Sequence, residues 1–423
     1  MSLTIRTHVG LLAVAALAVG CNSEGRLVDP SAPALVAARA GVPFTKGLAS
    51  PEWQGTAASL VAQAGFNPIT AGHAYPLLGV AQYLAVQRAE AASLGTDAES
   101  NATPGNGIGT GGRARLETDR GAVAGASAVV LIYLFPSQAQ MLEGMVAAQA
   151  NAGQGQPHPA FAAGEAIGRA VGAEIVTRAQ TDGFNRPFTG TIPTGPGLWI
   201  SNTTPPTIAG GPLPGVTPWF LTSPDQFRPA PPPAFGSTEF LAALAEIRHI
   251  ADTRTAEQIQ TAIYWAQNPG TPTTPGFWLG VATDGINEHG LSEREATHLY
   301  ALLSATILDA QISCWDAKET YWFIRPWQAD PAITVVPAVG KPNHPSYPSG
   351  HSCVSTSAAV VLAKFFPEEQ ARLDAMAAEA GLSRMYAGIH YRFDIDAGRQ
   401  IGRSVATFTI AADAAGSSVL TPQ

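Results

Sequence analysis

Three short blocks in the last quarter of the chain bring together side chains that can do chemistry. The first is Lys318, six residues, then Arg325-Pro326. The second is Pro348-Ser349-Gly350-His351, and the third is Ser383-Arg384, five residues, His390, three residues, Asp394. Together they supply three cations, two imidazoles, a hydroxyl and a glycine. Only 13% of the chain is charged, so three cations in one region stand out from an ordinary surface. Two arginines and a lysine can neutralise an anion of two or three charges, arginine through its planar fork and lysine as a point charge. The set suits a tetrahedral oxyanion, phosphate or its larger analogue vanadate.

Positioning these groups requires helices. Ser349-Gly350-His351 leads into an apolar run that ends before Pro367, so a helix should begin at the motif. Its first backbone N–H groups and its dipole would both favour an anion, and Gly350 lets the backbone come close. His390 and Asp394 are four apart, which on a helix places them on one face with Asp394 orienting the ring. The other ring nitrogen of His390 is then free to attack phosphorus or to ligate vanadium. His351 can serve as general acid or base near neutral pH.

The blocks resemble the signature shared by vanadium-dependent haloperoxidases and type 2 phosphatidic acid phosphatases (PAP2), a group that includes bacterial class A acid phosphatases. Lys318, Arg325, Pro326, Pro348, Ser349, Gly350, His351, Ser383, Arg384, His390 and Asp394 all match, with the spacing inside each block intact. The resemblance implies an all-α enzyme, a helical bundle of the PAP2/vanadium haloperoxidase type with a long Pro/Gly-rich connecting loop. It implies that His390 binds vanadate or becomes a phosphohistidine, while Lys318, Arg325, Ser349, Gly350 and Arg384 hold the oxyanion. The segment 197–233 looks like the connecting loop of bacterial haloperoxidase-like proteins, and 309–318 resembles them too, extending the likeness over about residues 65–412. Trp315 resembles a tryptophan near the halide site of vanadium chloroperoxidases, and His344 stands where chlorinating enzymes have phenylalanine and algal brominating ones histidine, which implies bromide in preference to chloride. Both are also readable as packing groups beside Lys318 and Pro345.

The partners that follow are hydrogen peroxide and a halide, with vanadate as cofactor, or a phosphomonoester with no cofactor. The motif serves both activities. A lipoprotein that only binds phosphate is the non-enzymatic alternative, but it leaves His351 and the His390–Asp394 pair without a purpose.

Residues 1–20 read as a signal peptide, with Arg6 before a short apolar run and Gly20-Cys21 at its end. This resembles a lipoprotein signal with Cys21 lipidated, so the expectation is an exported protein held to a membrane by lipid. Residues 21–66 are expected to be a tether and N-terminal arm, and 67–415 the catalytic helical domain. A net charge of −8 and no basic stripe exclude a nucleic-acid partner; an oligomer stays open. Cys314 and Cys353 flank the motif blocks, as two buried thiols or, since export permits it, as a bridge.

Ala-rich segments 68–94, 116–150 and 158–181 carry helical periodicity, and helices resume at 237–251 and 255–267. Ser292-Glu293-Arg294-Glu295 forms a capping box for a long helix towards Thr320. His73, His158, His249, His289 and His298 have no ligand spacing and read as surface or satisfied core histidines.

Overall fold

A computed structural model of the chain describes residues 47–99, 110–151 and 158–421. The chain divides at Ala37, and the unit Met1–Ala37, with the expected signal and Cys21, lies outside the described residues, as does most of the expected tether. The described residues form thirteen α-helices, with no β-strand among them. The all-α expectation holds. Among the described residues, no helix is long and apolar enough to cross a membrane.

Within the expected arm, Ala49–Gln63 form a helix, α1, whose Trp53, Leu60 and Val61 enter the core. Next come α2 (Pro68–Glu99), α3 (Thr110–Leu134), α4 (Ala139–Ala150) and α5 (Pro159–Thr181). The single expected segment 116–150 is broken at Phe135-Pro136, since proline removes a donor and clashes with the preceding turn. α3 and α5 touch backbone to backbone. A Cβ on Gly121 would lie 2.0 Å from the Phe161 carbonyl oxygen, and one on Gly164 1.9 Å from that of Thr118.

After the loop come α6 (Thr238–Thr253), α7 (Ala256–Tyr264), α8 (Thr273–His289) and α9 (Glu293–Tyr321). The Ser292/Glu295 capping box forms as expected and starts α9. This helix is buried without a break from Leu299 to Lys318, the mark of a central helix enclosed on every side. α2, α11 and α13 pack around it. The remaining helices are α10 (Pro326–Ala329), α11 (Gly350–Phe365), α12 (Gln370–Tyr386) and α13 (Arg392–Ala414).

The Pro/Gly-rich stretch between α5 and α6 has little structure of its own and is held by α9. Buried Asp309 accepts the N–H groups of Trp219, Phe220 and Leu221 at 2.8, 2.7 and 3.0 Å. Asp316 takes Arg228 through two bonds of 2.7 Å, and Trp315 Nε1 donates to the Ala209 carbonyl at 2.8 Å. One helix therefore both anchors the loop and carries Lys318.

Candidate active site

The three blocks converge from five elements: Lys318 from the last turn of α9, Arg325 capping α10, the 343–349 loop entering α11, Arg384 from the last turn of α12, and His390 and Asp394 at the start of α13. Backbone contacts fasten them. The Ser349 N–H donates to the Asp394 carbonyl at 2.9 Å. Arg325 ties the first block to the others, with Nε donating to the His344 carbonyl at 3.0 Å and Nη1 to the Ile389 carbonyl at 2.7 Å.

His390 and Asp394 do pair, but not along a helix. His390 precedes the α13 N-cap, Tyr391, and the chain turns into the helix so that His390 Nδ1 lies 2.8 Å from Asp394 Oδ2. Arg325 Nη1 lies 3.0 Å from His390 Nε2. A guanidinium only donates, so Nε2 is the bare nitrogen and Nδ1 carries the proton given to Asp394. Burial, then Arg325 and Lys318, hold the His390 pKa well below its ordinary value, so the ring is neutral.

His351 faces the other way. Its Nε2 lies 2.7 Å from the Trp265 carbonyl and 3.2 Å from Thr274 Oγ1, so Nε2 carries the proton and Nδ1 is left to exchange one. Burial and Arg384 keep it neutral as well. His351 is thus a base unless a nearby anion raises its pKa.

The electrostatics favour an anion. Lys318, Arg325 and Arg384 are 0%, 0% and 1% exposed. Burial lowers their pKa values to about 8, 9 and 9, which leaves all three charged at neutral pH. Asp394 is the carboxylate among them, pushed up to about 6 by burial. Three cations against one carboxylate leave two positive charges in a dry interior, where an uncompensated ion costs several kcal/mol.

Donors are available for an anion. Among the described residues, Arg384 donates from Nε to Ser383 Oγ at 2.9 Å and from Nη2 to the Ala262 carbonyl at 2.7 Å, which leaves Nη1. Ser349 Oγ is buried without a partner, and α11 begins at Gly350 with no side-chain cap. Lys318 differs, since its Nζ donates to the carbonyls of Pro345, Ser346 and Pro348. It has three N–H groups and three acceptors, so it must release one to meet a ligand. The donor set fits a tetrahedral oxyanion.

Trp315 and His344 form one wall. Their rings are 5.1 Å apart, and the indole sits 5.5 Å from Lys318 Nζ and 3.4 Å from where a Gly350 Cβ would be. His344 Nδ1 accepts from Arg325 Nη2 at 3.0 Å. Cys314 and Cys353 are buried free thiols behind the site.

Among the described residues, four of the five histidines outside the site have carboxylate neighbours: His73 with Asp182, His158 with Glu117, His289 with Glu368, and His298 with Asp413. Sequence reasoning missed Ser346, Thr274 and the Trp265 and Ala262 carbonyls. Backbone acceptors leave no trace in residue identity. Ser346, three residues before Ser349, was the one group spacing could have offered.

The profile of the PAP2 superfamily matches residues 296–415. A non-specific acid phosphatase of Providencia stuartii is 31% identical over 177 residues, covering 40% of this chain and 67% of the relative. One from Salmonella typhi is 46% identical over 57 residues, 14% of this chain and 23% of its own length. Among solved structures, a bacterial vanadium-dependent iodoperoxidase superposes with a TM-score of 0.67 at 24% identity, covering 86% of this chain and 95% of that one. A bacterial vanadium-dependent chloroperoxidase gives 0.60 at 14% identity, over 82% and 94%. The chain belongs to the PAP2 superfamily and is an enzyme with the fold of the vanadium haloperoxidases.

Proposed function

We propose that the protein is a vanadate-dependent haloperoxidase that oxidises a halide with hydrogen peroxide. The observation that carries the reading is the surplus of buried positive charge around a neutral His390 with a bare Nε2. His390 would ligate the vanadium, and Arg325, Arg384, Ser349, Gly350 and a released Lys318 would hold its oxygens. Bound vanadate would supply Lewis-acid activation of peroxide. The chain's own contributions are separable. Asp394 keeps the His390 proton on Nδ1, His351 exchanges a proton through Nδ1, and Trp315 with His344 covers the site. The near-complete superposition on haloperoxidases supports this choice, and the Trp315–His344 wall supports a halide position there, with bromide preferred.

The acid phosphatase relatives favour a second reading. Nε2 of His390 would then attack phosphorus, forming a phosphohistidine as the ester oxygen leaves, with a protonated His351 donating to that oxygen. The sign of the vanadate effect separates the two. A haloperoxidase is inert without vanadate, whereas a phosphatase works without it and is inhibited by it. Phosphomonoester hydrolysis in vanadate-free buffer, with no halide oxidation after vanadate is added, would establish the second reading. We carry export and Cys21 lipidation with this proposal; Cys21→Ala should move the protein from the membrane fraction to the soluble one.

A further inference from the structure

We propose that Ser346 is a positioning residue whose hydroxyl fixes the orientation of the Asp394 carboxylate and so, with Arg325 on the other nitrogen, holds His390 in the tautomer that leaves Nε2 bare. The inference rests on His390 being the reacting imidazole of the proposed site.

The Asp394 carboxylate is used on one side only. Oδ2 accepts from Ser346 Oγ at 2.6 Å, His390 Nδ1 at 2.8 Å and the Tyr391 N–H at 3.1 Å. Oδ1 is buried with no partner. The two oxygens of an ionised carboxylate are equivalent, so what has to be fixed is the plane of the group, which turns easily about its terminal torsion. The Ser346 hydroxyl, with the Tyr391 N–H, pins the oxygen that faces His390 in line with Nδ1. That hydroxyl has one proton, and an ionised carboxylate can only accept it.

Ser346 is itself held on both sides. Its N–H donates to the Phe323 carbonyl at 2.9 Å, and its own carbonyl accepts from Lys318 Nζ at 3.1 Å. Lys318 and Phe323 both lie within the first block, so Ser346 is a strut running from that block to the His390–Asp394 pair. Both ends are dry, with Ser346 and Asp394 each 0% exposed and His390 3% exposed. No solvent can replace the hydroxyl without entering the core. Outer partners of this kind typically change activity by roughly 10- to 100-fold when removed.

The test compares Ser346→Ala and Ser346→Thr with the full chain, using 15N-histidine NMR to read the His390 tautomer, steady-state kinetics, and inorganic phosphate binding. Ser346→Ala should show mixed His390 tautomers and a kcat lower by about 10- to 100-fold, with KM and phosphate Kd unchanged. Ser346→Thr should restore both the tautomer and kcat. A Ser346→Ala variant that keeps the pure Nδ1–H tautomer overturns the proposal, whatever its kcat. So does a loss that falls equally on KM and phosphate binding and is not restored by threonine. If the wild type turned over neither halide nor phosphomonoester, the functional reading would fall, while the tautomer measurement would still decide the role of Ser346.

Discussion

Arg325 Nη1 donates to Nε2 of His390 across 3.0 Å, so the guanidinium occupies the lone pair that the chemistry needs. An arriving oxyanion presents oxygens to the same fork, and a charged acceptor is preferred over a neutral ring nitrogen. The anion would thus free the nitrogen that reacts with it. Arg325→Lys should be far from conservative, because an ammonium lacks the second arm that bonds His344. The expected result is a kcat at least about tenfold lower, with charge-driven phosphate binding partly kept. Wild-type turnover in Arg325→Lys would remove the exchange.

His351 and His390 are held neutral first by burial and then by neighbouring cations. A bound dianion reverses the cationic part, raising both pKa values, so binding must take up protons between the free and bound values. Calorimetry with sulfate, which does not titrate near neutrality, should show net uptake at about pH 6.5 when run in buffers of different ionisation enthalpy. Proton release would contradict the electrostatics of the site.

Arg384 has no carboxylate neighbour to compensate it and keeps Nη1 free of protein partners among the described residues. A lost charged hydrogen bond costs about 1.5–3 kcal/mol. Arg384→Ala should therefore weaken phosphate or vanadate binding by at least about tenfold, read by competition or calorimetry. The same substitution should not lower Tm, since it also removes a buried charge.

Glu319, half-buried beside Lys318 in sequence, has an unpartnered Oε1 and a pKa raised to about 8 by burial and then Asp316. For an acid raised in the folded state, the folded form binds more protons, so stability is lost as pH climbs from the ordinary carboxylate range towards 8. Glu319→Gln should raise Tm more at pH 8 than at pH 5. Equal shifts at both would mean the carboxylate is not strained by burial.

What the sequence revealed, and what it hid, follows from where the information sits. Lys318, Arg325, Ser349, Arg384, His390 and Asp394 were legible because side-chain type and spacing carry them. The start of α9 was legible because Ser292 and Glu295 cap it by local rules. The turn between His390 and α13 was not, because a four-residue spacing fits a helix and a helix entrance equally well. Nor was the saturation of Lys318 by three carbonyls, which depends on how residues 345–348 wrap around it. The same holds for Asp309, whose role is to gather three N–H groups from a loop about ninety residues earlier in the chain.

The contact between α3 and α5 has a mechanical consequence. A Cβ on Gly125 would lie 2.3 Å from the Glu165 carbonyl oxygen, and one on Gly168 2.0 Å from that of Ala122, as at Gly121 and Gly164. Sliding one helix past the other by a residue would drive a methyl group into a carbonyl. The pair therefore has one permitted register and cannot act as a shear plane. Any breathing that admits a substrate must come from elements that meet through side chains, where atoms can yield.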